Sequence, residues 1–304
     1  MNEVVSIDLG SNSFRVLKYD CRNEKILAEY NEVVGMADGL VETNRISKDA
    51  MQRVIEAINK SVEIVNYDTK KAVAVTTAAM RKAKNNQEVL KYFKDETGVD
   101  FTIIDGKEEA RLTLLAVKYA LKREKINSSK FILLDIGGGS TEIIVNNNDT
   151  YKSHSFDFGI VTMTQEYLHY HALNSDLEKR KKEIKKYLDS LEINLDDYTF
   201  VATAGTPTTV AAVKLGQDFF SYDKDVVNGT IVNLDDLQTC LTLLSNSSKE
   251  EITKLVGRGR VEFIEVGIFI YQAIYEVLGK SESIVLDDGL REGVAINACL
   301  KCKT

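Results

Sequence analysis

The chain has 304 residues, enough for two domains, and its 44% hydrophobic content is ordinary for a globular protein. A net charge of −7 argues against a broad nucleic-acid-binding surface, so no DNA partner is expected, although a local basic cleft can still take a polyanion. No apolar run reaches the roughly 18 residues of a membrane span, and the N-terminus enters a strand without a signal peptide. Four cysteines (Cys21, Cys240, Cys299 and Cys302) in such a chain favour reduced thiols and a cytoplasmic setting. Cys299-x-x-Cys302 has redox-motif spacing but falls in an amphipathic helical pattern, and is read as structural.

In chain order, residues 4–16 are two apolar strands around Asp8-Leu9-Gly10-Ser11-Asn12-Ser13, and Lys25–Tyr30 is a third strand. A helix starts at Ser47, with Met51, Val54, Ile55, Ile58, Val62 and Val65 on one face. Strand 71–76, helix 87–97 ending near Gly98, strand 101–104 and helix 108–123 follow. The polar stretch 122–130 reads as a domain junction. A second round opens at Phe131 with Asp135-Ile136-Gly137-Gly138-Gly139-Ser140-Thr141-Glu142. Ser175-x-x-Glu178 reads as a capping box opening a helix, and its Lys179–Lys182 run as a solvated face. Strand 200–204 empties into Gly205-Thr206-Pro207-Thr208-Thr209, before a helix from Val210. Helix 260–278, strand 283–286 and a last helix after Asp287-Asp288-Gly289 complete the chain. Strands alternating with helices make the fold α/β. The expected domains are 1–125 and 126–304, with the last helix free to pack back on the first. His154, His169 and His171 are read as structural or surface residues.

The two glycine turns carry the functional signal. Glycines let backbone approach a ligand, and successive N–H groups in such a turn form an anion-binding nest. Gly10, Ser11, Asn12 and Ser13 in one, and Gly137, Gly138, Gly139, Ser140 and Thr141 in the other, are the expected phosphate binders. Asp8, Asp135 and Glu142 are the carboxylates that could hold Mg²⁺, or a monovalent cation such as K⁺ beside it. Gly205 and Thr206 sit at a helix N-terminus, which favours an anion. Arg15 and Arg81 could bind phosphate bidentately, though each alone reads equally as a surface residue. Glu108 and Glu109 begin a helix; spacing alone favours a surface role over that of a general base.

These residues together resemble the exopolyphosphatase / guanosine pentaphosphate phosphohydrolase (Ppx/GppA) family. Residues 8–15, Thr76-Thr77-Ala78-Ala79-Met80-Arg81, Gly106-Lys107-Glu108-Glu109-Ala110, residues 135–142, Ala204–Thr209 and Asp287–Gly293 match its segments in order. The resemblance implies the actin-like ATPase fold shared with hsp70 chaperones and sugar kinases, with two ribonuclease-H-like domains flanking a cleft. It implies a Mg²⁺-dependent phosphohydrolase that removes the terminal phosphate of inorganic polyphosphate or of pppGpp, with Glu109 as catalytic base and possible homodimers. Many members carry an added HD-type helical domain; this chain resembles the short two-domain form. It departs from the family at Thr162, where an Arg is usual; Arg258 and Arg260 are candidates to compensate, the alternative being a less basic cleft. A non-catalytic pppGpp or ppGpp sensor and an ATP-dependent kinase of the same fold are the alternatives.

Overall fold

The computed structural model describes residues 3–170 and 173–302, without the side chains of 167–170. His171 and the His169 side chain therefore lie outside the described residues. His154 packs against Phe156 and Tyr187, ring centroids 4.5 and 5.1 Å away. The chain divides into two compact units, residues 1–117 with 288–304, and residues 118–287.

The first unit contains β1 (Glu3–Leu9), β2 (Ser13–Asp20), β3 (Lys25–Val33), α1 (Leu40–Thr43), α2 (Lys48–Val65), β4 (Val73–Thr76), α3 (Ala78–Lys82), α4 (Asn86–Thr97), β5 (Phe101–Ile103) and most of α5 (Gly106–Arg123). Its sheet runs β3-β2-β1-β4-β5, with β1 antiparallel to β2 and parallel to β4. Central β1 is buried along most of its length, Ser6 and Asp8 included, whereas β2 alternates. Ser47 caps α2 by accepting the Ala50 N–H at 3.1 Å, and Met51, Val54, Ile55 and Ile58 are buried on its inner face.

The second unit contains β6 (Lys130–Ile136), β7 (Thr141–Asn147), β8 (Thr150–Phe156), α6 (Ile160–Tyr170), α7 (Leu173–Asp189), β9 (Thr199–Thr203), α8 (Gly205–Lys214), α9 (Lys224–Val227), β10 (Thr230–Asn233), α10 (Leu234–Ser245), α11 (Lys249–Val256), α12 (Ile264–Leu278) and β11 (Glu282–Val285). The sheet order is β10-β11-β9-β6-β7-β8. Read from β8 to β11 it repeats the first unit's order and strand directions, with β10 added antiparallel at the edge. Its core includes Tyr271 and Tyr275, whose hydroxyls both meet Ser283 Oγ, at 2.5 and 2.6 Å.

Two sequence expectations about helix starts are corrected. Helix α7 already includes Leu173, so Ser175 lies inside it rather than capping it; Leu173 and Leu177 both pack on the core. Helix α8 starts at Gly205, not Val210, because Pro207 in a first turn lacks only an N–H that would have had no partner within the helix. The last helix, α13 (Leu290–Lys301), packs with the first unit, and the contact-based division falls at 117/118, within α5. Gly293 lets α13 lie directly on α5: a Cβ there would stand 2.0 Å from the Leu112 carbonyl oxygen.

Helix α13 is fastened at both ends. Arg291 is 4% exposed and reaches Glu292, Glu29 and Asn31, while its carbonyl accepts the Ser6 hydroxyl at 2.9 Å. At the other end Cys299 is disulfide-bonded to Cys21, just beyond β2. The expectation of four reduced thiols is thus corrected: packing of α13 against the β1–β2 hairpin brings together two cysteines 278 residues apart. Cys240 (buried) and Cys302 (exposed) carry free thiols. Among the described residues no helix is long and apolar enough to cross a membrane.

Candidate active-site loops

In the first unit Asp8 closes β1 and stands directly across from Arg15 on β2, so the two share a face of the sheet. The Gly10 N–H donates to the Ser13 carbonyl at 2.9 Å and closes the turn. Residues 34–37 brace it from outside: the N–H groups of Val34 and Gly35 donate to Asn12 O, and that of Ala37 to Ser11 O. Asp8 and Asn12 are buried, and Ser11 Oγ is buried with no hydrogen-bond partner, as a ligand-facing hydroxyl would be. Arg15 makes no ion pair among the described residues.

Asp105 sets the start of α5. Its carboxylate accepts the Glu108 N–H at 2.8 Å and its carbonyl the Glu109 N–H at 3.0 Å. The two glutamates then part. Glu108 forms a bidentate pair with Arg111, which holds its carboxyl below the usual range, and this is the surface role the spacing favours. Glu109 is 7% exposed and its Oε2 lies 2.6 Å from Arg81 Nη1. That Arg81 nitrogen also donates to the Ile104 carbonyl at 2.9 Å. Arg81, expected as a phosphate binder, is thus engaged in orienting a carboxylate.

The second unit repeats the first turn. The Gly137 N–H donates to the Ser140 carbonyl at 2.9 Å, and Asp135 stands across from Glu142 as Asp8 does from Arg15. Gly138 and Gly139 lie between them. Glu142 is buried and accepts the Ser155 hydroxyl at 2.6 Å. Thr141 donates its hydroxyl to the Phe158 carbonyl at 2.8 Å, so that group is spent on the fold rather than turned to a ligand. The start of α6 clamps the turn, with the Ile160 N–H on Gly137 O (3.0 Å) and the Val161 N–H on Gly138 O (2.8 Å). Gly159 makes this possible, since a Cβ there would stand 2.4 Å from Gly137 O. Thr162, where the family's Arg was expected, is buried and its hydroxyl accepts the Gly159 N–H at 2.9 Å; it serves as a helix cap.

At the start of α8 the Thr206 side chain packs against Gly267 of α12, where an added Cβ would stand 2.3 Å from Oγ1. The Thr206 Oγ1 is buried there with no hydrogen-bond partner, as Ser11 Oγ is in the first unit. Gly205 lies against the Arg260 guanidinium, whose central carbon would stand 3.5 Å from a Cβ at that position. Tyr222 donates to Asp287 Oδ1 at 2.9 Å; burial first, then the Asp287 charge, hold its proton on more tightly than usual. Nothing in the local sequence marks Tyr222, which only the folded second unit brings to α8. Ala204, the residue before α8, has φ 76° and ψ −177°, a conformation that glycine tolerates and alanine does not.

No group of three or more His, Cys, Asp or Glu side chains among the described residues is arranged to hold a metal. Mg²⁺ commonly takes only one or two carboxylates beside water and substrate phosphates. Asp135 and Glu142 supply that hard-oxygen set, and two like charges facing each other across a hairpin favour a cation between them.

The sequence model of the Ppx/GppA phosphatase family matches residues 18–302. The chain belongs to that family. Exopolyphosphatase 2 of Mycobacterium tuberculosis is 25% identical over 320 residues, covering 98% of each chain. A guanosine-5'-triphosphate,3'-diphosphate pyrophosphatase of Vibrio atlanticus is 28% identical, covering 95% of this chain but 58% of its own length. A bifunctional 3-dehydroquinate synthase/phosphatase of Fusobacterium nucleatum is 25% identical, and this chain spans only 44% of it. Among solved structures, the Aquifex aeolicus Ppx/GppA family member aligns with TM-score 0.74 and 28% identity over 99% of both chains. As in other Ppx/GppA folds, each of the two α/β units here is ribonuclease-H-like.

Proposed function

We propose that the chain hydrolyses the terminal phosphoanhydride of inorganic polyphosphate or of pppGpp and releases orthophosphate. The observation that carries this reading is the buried Glu109 carboxylate fixed by Arg81 at the first turn of α5. Family membership and relatives named for both substrates support it.

In this reading Glu109 accepts a proton from a water as its oxygen attacks the terminal phosphorus in line. The bond from that phosphorus to the bridging oxygen breaks, and the electron pair leaves on the shortened phosphate chain. Backbone N–H groups of a glycine turn supply donors to the non-bridging oxygens. Asp135 and Glu142 would hold Mg²⁺, which when bound supplies positive charge to those oxygens.

The test is orthophosphate release with Mg²⁺ on polyphosphate and on pppGpp in parallel, for the native chain and Glu109→Gln. Release from either substrate that falls by about 10²–10⁴ in the variant is the expected outcome, and the ratio of the native rates names the substrate. Retention of binding with no release from either would overturn the hydrolase.

A further inference from the structure

The polar stretch after α5 lines a cavity of about 570 Å³ within the second unit. It opens at the Lys130/Asn147 end of the β6–β7 hairpin, whereas the glycine turn closes the Ile136/Thr141 end. Seven residues of strand separate the two ends, roughly 20 Å at about 3.3 Å per residue. The cavity is therefore not part of the glycine-turn site.

Three ammonium groups border it, those of Lys118, Lys122 and Lys125, against a single carboxylate, Asp149. Basic residues at a helix C-terminus often serve only to offset the dipole. Here the backbone already closes α5: the Ile126 N–H donates to Leu121 O (2.9 Å) and the Lys125 N–H to Lys122 O (3.2 Å), with Lys125 at φ 57°. Lys118 donates to the Asn148 carbonyl at 3.1 Å. No carboxylate among the described residues pairs with Lys122 or Lys125.

A second feature is independent of charge. Asn146 lines the same cavity, is 1% exposed, and its Oδ1 has no hydrogen-bond partner. Its Nδ2 donates to Ser129 O at 2.9 Å, which fixes the amide with its oxygen as the unused end. Buried acceptors left in this state are uncommon. The apolar side chains of Leu121 and Ile126 complete one wall.

We propose that this cavity is a second ligand site, taking a nucleoside phosphate. Its phosphate would meet the lysines, its hydroxyl or amino donors Asn146, and its ring the wall of Leu121 and Ile126. A volume of this size lies in the range of small-molecule sites.

The test is hydrogen exchange on the full chain with millimolar ADP, GDP or inorganic phosphate, comparing native protein with K122E/K125E and with the milder K122Q/K125Q. Slowed exchange in 118–131 and 144–149 with a nucleotide, requiring roughly tenfold or more extra ligand in the variants, is the expected result. Both substituted side chains are exposed, and matching exchange without ligand shows that each variant folds. No protection in these segments, or equal protection in the variants, would overturn the site. Equal protection by inorganic phosphate would overturn the nucleoside assignment. The readout is local to residues 118–149 and stands whether or not the chain releases orthophosphate.

Discussion

Arg81 Nη1 lies 2.6 Å from Glu109 Oε2, joining helix α3 to a carboxylate 28 positions later. The arginine that a phosphate-binding reading sends toward substrate is in this structure the partner of the proposed base. Arg81→Gln is expected to lower the turnover number for orthophosphate release by about 10- to 100-fold, with little change in KM. A rise in KM at unchanged turnover would restore Arg81 as a substrate ligand.

Ala204 sits in a backbone region that essentially only glycine occupies, immediately before α8. Ala204→Gly should relieve that strain and raise stability by about 1–2 kcal/mol, read as a higher urea midpoint at unchanged slope. A lower midpoint would show that the conformation costs little.

Reducing the Cys21–Cys299 bond removes a cross-link spanning 278 residues and should lower stability by about 2–4 kcal/mol. Thermal unfolding with and without reductant measures this. Cys21→Ser should match the reduced native chain and ignore reductant; a native chain equally indifferent to reductant would show that the bond does not form.

The Glu292 carboxyl is buried, and burial alone would raise it. The Arg291 charge and hydrogen bonds from the Gly289 N–H and Arg291 outweigh that and hold it below its ordinary 4.5. A carboxyl depressed on folding contributes stability in full above about pH 4.5, and loses it as pH falls toward the folded value. Glu292→Gln should therefore cost about 3 kcal/mol at pH 7, since it leaves Arg291 buried with one partner fewer, and should flatten the acid limb of the stability curve. An acid limb unchanged by the substitution would assign the dependence elsewhere.

The sequence made both glycine turns and most strands legible, because apolar runs and Asp-Gly punctuation are local signals, but the largely polar β8 and the short β10 escaped it. The helix start at Ser47 and the helix end near Gly98 were legible for the same reason. What could not be read depends on partners distant in the chain. Thr162 looked like a lost phosphate contact and is a cap on Gly159, a role visible only once α6 lies on the turn. Thr141 carries the right hydroxyl, but the Phe158 carbonyl takes it. Cys21 and Cys299 gave no spacing signal because the contact joining them is made by the return of α13.

That return also orders the birth of the protein. Residues 288–301 supply the partner of Ser6, the guanidinium between Glu29 and Asn31, and the sulfur for Cys21, all within the β1–β3 segment. Those strands emerge from the ribosome long before their last helix and must wait, incomplete, while the entire second unit is translated. A premature stop after residue 287 would thus spare every residue of the later unit and damage the earlier one.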